Sequence, residues 1–184
     1  MTPTARKIGC FELTSHTVAI CDPGYREDAL DIGGGLGCYV RRCKIGEWQV
    51  WLTEDKTPNH SWEMPRTLLA AIAGFSTSRD SDAWHPTGKE IGGDYGMIGV
   101  FDQSHFHDDK LVPIGQRWTF DGAPADPSDL WYSFVCESVR NQVAAAIPHG
   151  FVVNWDGGMD VETLSSDGEI VAIRLSISGW PDRV

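Results

Sequence analysis

The chain has no stretch of 18 consecutive apolar residues, so no membrane-spanning helix and no membrane partner are expected. Positive charge is scarce. Lys and Arg number 15 against 26 Asp and Glu, a net charge of −11, and neutralising a phosphate backbone needs clustered basic side chains, so no nucleic acid is expected as a ligand. Paired cysteine motifs are missing too. The five cysteines are odd in number, form no C-x-x-C and follow a polar Met1–Lys7 without signal-peptide character, which points to a reducing, cytoplasmic setting with the thiols as small buried hydrophobes. Cys38 and Cys43, five apart on one strand, would face opposite ways and share no metal. Catalytic signatures are equally sparse. There is no G-x-S-x-G elbow, no D-x-D-x-D-G loop, and Gly33-Gly-Gly-Leu-Gly37 lacks the Lys-Ser/Thr ending of a phosphate loop and leads into a strand. A thiolate at Cys21 would be disfavoured by the Asp22 carboxylate beside it.

What is present is glycine and aspartate at turns. Asp31-Ile-Gly-Gly-Gly-Leu-Gly37, Ile91-Gly-Gly-Asp-Tyr-Gly96 and Trp155-Asp-Gly-Gly-Met-Asp160 each touch a β-prone run, and these residue types close tight connections because Gly reaches positive φ freely and Asp bonds its own backbone. A length of 184 residues with 41% apolar content suits a single domain, 1–184, with a core of its own. Lys7–Leu13 with Thr17–Cys21, and Cys38–Cys43 with Trp48–Leu52, have hairpin spacing. Gly96–Phe101, Gly150–Trp155, Val161–Leu164 and Ile170–Ile177 supply further strands, the last two joined through Asp167-Gly168, a strong hairpin signal.

Two helices are expected. One runs from Pro127 to about Ala146, capped by Asp126, with Asp129 at its dipole-favoured start, a stripe of Trp131, Val135, Val139 and Val143 widened by Phe134, and Pro148 as its stop. The other is Pro65–Ala73, with Pro at its first position and Gly74 after its end. Residues 76–88 are polar and aperiodic, a surface loop or flap. The fold class expected is α+β: about seven mostly antiparallel, hairpin-connected strands, sandwich-like or strongly twisted, covered by two helices.

Aspartates fall at strand ends: Asp22, Asp94, Asp102, Asp156 and Asp160. Strand ends share a sheet rim, so several could meet around a cation through oxygen ligands, or each could bond within its own turn. Phe101-Asp-Gln-Ser-His-Phe-His-Asp-Asp109 is the densest polar run. Its His105 and His107 share one face of an extended strand, which with Asp102 makes a candidate metal set, although a third ligand at fixed local spacing is missing. Among eight tryptophans, Trp62 and Trp84 lie in polar surroundings and are candidates for an exposed binding rim or for loop anchors.

Several motifs in order carry a resemblance. Ile20-Cys-Asp-Pro-Gly-Tyr25, Gly93-Asp-Tyr-Gly-Met-Ile-Gly-Val-Phe-Asp102, Trp131-Tyr132 followed by Cys136, and Asp156-Gly-Gly158 before the Gly168–Ile173 strand resemble a family of small phage and bacterial proteins, a domain of unknown function. That family reads D-P-C-Y, then D-S-G-x-x-G-I-F-D, W-Y with a later Cys, and G-D-G-x-Y. The match spans Lys7 to Ile177, with Gly24 in place of the usual Cys, Gly-Asp-Tyr-Gly in place of Asp-Ser-Gly, and Met159 in place of Tyr. The resemblance implies a small cytoplasmic accessory protein more than a metabolic enzyme.

Two functional readings follow. The first is a non-enzymatic binding or inhibitor protein, of the phage anti-defence or immunity kind, with no cofactor, whose acidic surface masks a basic protein partner. Its candidate binding residues are Asp22, Tyr25, Trp62, Trp84, Asp94 and Asp156. The alternative is a metal-dependent hydrolase or small-ligand binder with Asp22, Asp94, Asp102, His105 and His107 gathered at one sheet edge and a divalent metal activating water. No feature sets an oligomeric state.

Overall fold

A computed structural model describes residues 5–26, 30, 36–55, 64–75, 84–112, 119–120, 123–124 and 130–177. Within them the chain is mainly antiparallel β, with strands β1 (Ala5–Leu13), β2 (Thr17–Cys21), β3 (Gly37–Arg41), β4 (Gly46–Asp55), β5 (Met64–Ile72), β6 (His85–Gly92) and β7 (Met97–Asp102). A two-residue pair follows, β8 (Thr119–Phe120) and β9 (Ala123–Pro124), then helix α1 (Leu130–Ser138) and strands β10 (Ala144–Ile147), β11 (Gly150–Asn154), β12 (Gly158–Ser166) and β13 (Glu169–Ile177). One sheet has six strands in the order β1-β4-β5-β13-β12-β6, the other five in the order β10-β11-β7-β2-β3.

The pleat explains how the sheets stack. Alternate residues such as Leu13, Val50, Leu68, Val161 and Leu175 of the large sheet meet Val18, Ile20, Ile98, Val100 and Phe151 of the small one in a single buried cluster. The opposite face of the small sheet, through Ala19, Met97, Phe101 and Val152, is covered by Trp131 and Val135 of α1 and by Phe106. The small sheet is therefore buried on both faces, which is why all six residues of β7 are buried. On the outer face of the large sheet lie Ala71, Leu164 and Ala172 with the half-buried Trp51, Leu69 and Trp84.

The expectation of two helices covering one sheet is corrected. Residues 65–72 form the central strand β5, paired with both β4 and β13. Leu68 and Ala70 enter the inter-sheet core while Ala71 packs on the outer face; because both faces take apolar side chains, no period-2 alternation marked the strand, and its Leu and Ala read as helix formers. Helix α1 is also shorter than expected. Its last turn tightens through Val139 N–H to Cys136 O and Arg140 N–H to Glu137 O at 3.3 Å each, and the Ala-rich 144–147 pairs with β11 as an edge strand. Residues 127–129 lie outside the described residues.

The connections differ as well. β1 pairs with β4, and β2 with β3 and β7, so Thr14–His16 carries the chain from one sheet to the other and closes no hairpin. The same holds for β3 and β4, which lie in different sheets. Cys38 and Cys43, expected on opposite faces, both enter the inter-sheet core, because β3 ends at Arg41 and Arg42 takes φ 65° between them. The β12–β13 hairpin forms at Asp167-Gly168, with φ of 53° and 81°, the geometry of a type I′ turn. Of the expected 76–88 loop, residues 76–83 lie outside the described residues and 85–88 begin β6.

Candidate functional site

Strands β2 and β7 run antiparallel, with Cys21 opposite Gly99 and Val18 opposite Asp102. Asp22 and Asp94 therefore share one end of the small sheet and Asp102 stands at the other, about 10–13 Å along the strands. Of the five residues expected at one sheet edge, Asp22 and Asp94 lie at one end and Asp102 and His105 at the other, while His107 is turned away from Asp102 and His105.

At the first end Asp22 is fully buried. Its carboxylate accepts from the Gly24 N–H at 2.9 Å and the Tyr95 N–H at 2.7 Å, tying the turn after β2 to the turn before β7. Burial pushes its pKa up, and the neighbouring Asp94 charge adds to this, more than the backbone N–H bonds lower it. Tyr25 donates its hydroxyl to Oδ2 of Asp94, a bond that holds the phenol proton and pushes Tyr25 up to about 12. Tyr95 is 60% exposed. Its ring lies so close over Gly24 that a Cβ there would come within 2.6 Å of it, and it meets Tyr25 and, from α1, Tyr132 edge-on, with centroids 5.8 and 6.5 Å away.

Beside this tyrosine group is a depression of about 430 Å³ lined by Glu90, Gly92, Gly93, Asp94, Asp156, Gly157 and Gly158. Its floor is backbone held by Gly93 N–H to Gly157 O at 3.1 Å and Trp155 N–H to Gly96 O at 2.9 Å. Only glycine fits at position 93, where a Cβ would sit 2.5 Å from the Trp155 carbonyl. The remaining oxygen of Asp94, Oδ1, lies 3.9 Å from where a Gly92 Cβ would be. One side of this carboxylate is thus fixed by Tyr25 and the other faces the depression. Three carboxylates on one concave surface attract a cationic group.

At the second end Asp102 is also fully buried. It accepts six hydrogen bonds, from the N–H and hydroxyl of Thr14, of Ser15 and of Ser104, at 2.5 to 3.1 Å. Burial alone would raise this carboxyl, but the bonds from Ser15, Thr14 and Ser104 together outweigh it and hold the pKa at about 2. Asp102 also caps the short 3-10 turn Gln103–His105, and its N–H donates to the His149 carbonyl at 2.8 Å. The His105 and His149 rings stack at 3.8 Å.

The candidate residues therefore sort cleanly. Asp22, Tyr25, Asp94 and Asp156 come to one rim, Asp22 as a buried support and Asp94 and Asp156 on the surface that a ligand would touch. Asp102 and His105 meet at the opposite end, but His107 does not join them: its Nε2 reaches the Tyr25 carbonyl at 2.9 Å and its ring packs on Trp131. The group of possible metal ligands there is Asp102, His105 and His149. Trp84 lies away from both ends, under the Arg174 guanidinium at 4.6 Å, and Trp62 lies outside the described residues. Sequence reasoning missed Tyr95, Glu90 and His149 as site residues, and Thr14, Ser15 and Ser104 as the partners of Asp102. A signal existed for Tyr95, which adjoins Asp94 in a glycine-flanked turn.

The chain was compared with protein-family models, curated proteins and solved structures, and none of these matches it. Among the described residues no helix is long and apolar enough to cross a membrane.

Proposed function

We propose that this protein is a non-enzymatic binding module, of the inhibitor or immunity kind, whose acidic rim receives a basic side chain of a protein partner. The observation that carries this reading is Asp94. Its Oδ2 is fixed by Tyr25 while Oδ1 faces a depression shared with Glu90 and Asp156, a preorganised anionic surface flanked by the exposed ring of Tyr95. Charge speeds encounter and an aromatic anchor slows dissociation. Five free cysteines, four of them buried, suit a reducing cytoplasmic compartment.

Fluorescence anisotropy with a labelled Arg/Lys-rich peptide tests the proposal. Saturable binding that weakens with salt and drops about tenfold or more in Asp94→Asn and Asp156→Asn, but not in Glu137→Gln on α1, is the expected result. Binding that is absent, or indifferent to both rim variants, overturns it.

A further inference from the structure

The second end of the small sheet carries a separate inference, independent of the acidic rim. His149 occupies the β10–β11 turn with φ 61°, and its Nδ1 lies 2.9 Å from the Glu12 carbonyl. A carbonyl only accepts, so Nδ1 carries the proton and the lone pair is left on Nε2. Metal-binding histidines are oriented in this way, with one ring nitrogen donating to a carbonyl and the other free to ligate. His105 brings a second unused nitrogen: its Nδ1 is buried and has no hydrogen-bond partner, the nearest carboxylate oxygen, on Asp108, being 3.7 Å away. A buried ring nitrogen left without a partner carries an uncompensated desolvation cost, which a bound ion removes.

Ligand atoms of Asp102, His105 and His149 all lie within 4.8 Å of one another. Four tetrahedral ligands at about 2.1 Å from a metal sit roughly 3.4 Å apart, so the three ligand atoms draw closer together when an ion binds. We propose that His105 and His149, with Asp102 as the third ligand, form a binding site for a borderline first-row transition-metal ion, Zn²⁺ above the hard cations. Imidazole nitrogens favour such ions over Mg²⁺ or Ca²⁺. The Asp102 oxygens are shared with Thr14, Ser15 and Ser104, so the two imidazoles are the anchoring ligands and the carboxylate supplies the compensating charge. The bound ion would join the 3-10 turn after β7 to the β10–β11 turn, pinning two connections of the small sheet.

The test uses the full chain carrying Cys10→Ser, because Cys10 is the exposed thiol among the five cysteines and would compete for zinc. Calorimetric titration with ZnCl2 is expected to show one ion per chain and a raised melting temperature, with His105→Gln and His149→Gln each weakening binding about tenfold or more and His107→Gln leaving it unchanged. Imidazole NMR signals of the unsubstituted histidines give a readout free of folding effects: Zn²⁺ should shift those of His105 and His149 and leave His16 in place. No binding, binding unaffected by both ligand variants, or shifts confined to other histidines would overturn the site.

Discussion

Asp22 and Asp102 are both fully buried, on or beside neighbouring strands of one sheet, and their carboxyls are driven in opposite directions. Burial raises both. Around Asp102 three hydroxyls and three backbone N–H groups converge, enough to hold it ionised down to about pH 2. Asp22 accepts from backbone N–H groups alone and has the Asp94 charge nearby, so burial prevails. Solvation by the protein, more than depth, decides the outcome. The contrast extends to role: Asp102 gathers Thr14, Ser15 and Ser104 around its oxygens, whereas Asp22 braces a turn that presents Asp94 and Tyr95 outward.

Substitutions should separate the two ends. Asp102→Asn leaves several buried donors facing an amide, and should cost at least about 3 kcal/mol in urea unfolding. A loss below about 1 kcal/mol would mean that the hydroxyl network is not a stabilising unit. The pH dependence of stability gives the next effect. Because Asp102 is held below its ordinary value of 3.8, its contribution is fully present above about pH 4 and is lost as pH falls towards about 2, some 2 kcal/mol in all. Asp22, held above its ordinary value, acts with the opposite sign: the stability linked to it is greatest below the ordinary carboxylate range and falls as pH rises through its raised folded value. Acid titrations of stability should therefore flatten between pH 4 and 2 in Asp102→Asn and keep their full fall there in Asp22→Asn.

At neutral pH, Asp22→Asn should lose about 1–2 kcal/mol, since one of the two N–H donors it receives then faces an amide NH2. Thermal melts check this, and a cost equal to that of Asp102→Asn would erase the contrast. The smallest stability effect is expected for Asp94→Asn, within about 0.5 kcal/mol, because this residue lies at the surface of the fold. Basic-peptide binding should nevertheless fall in that variant.

Some of this was legible in the sequence. Asp167-Gly168 fixed a hairpin because its backbone demands are local, and the placement of Asp22, Asp94 and Asp102 at or beside strand ends could be read from the β-prone runs that they flank. Strand pairing was not legible: whether Thr14–His16 closes a hairpin or crosses between sheets depends on β4 and β7, far away in sequence. β5 was misread for a related reason, its partners β4 and β13 overriding the helix preference of Leu and Ala. His149 escaped notice because its link to Asp102 spans two strands, although a histidine in the turn Pro148-His149-Gly150 was a candidate for positive φ.

The most direct test of the division between the two ends is an amide NMR titration of the native protein with an Arg/Lys-rich peptide. Chemical-shift changes concentrated at Gly92–Tyr95 and Asp156–Gly158, with Thr14, Ser15 and Ser104 unmoved, are the predicted result. Changes centred on Thr14, Ser15 and Ser104, or none at the acidic rim, would contradict the assignment of that rim as the binding surface.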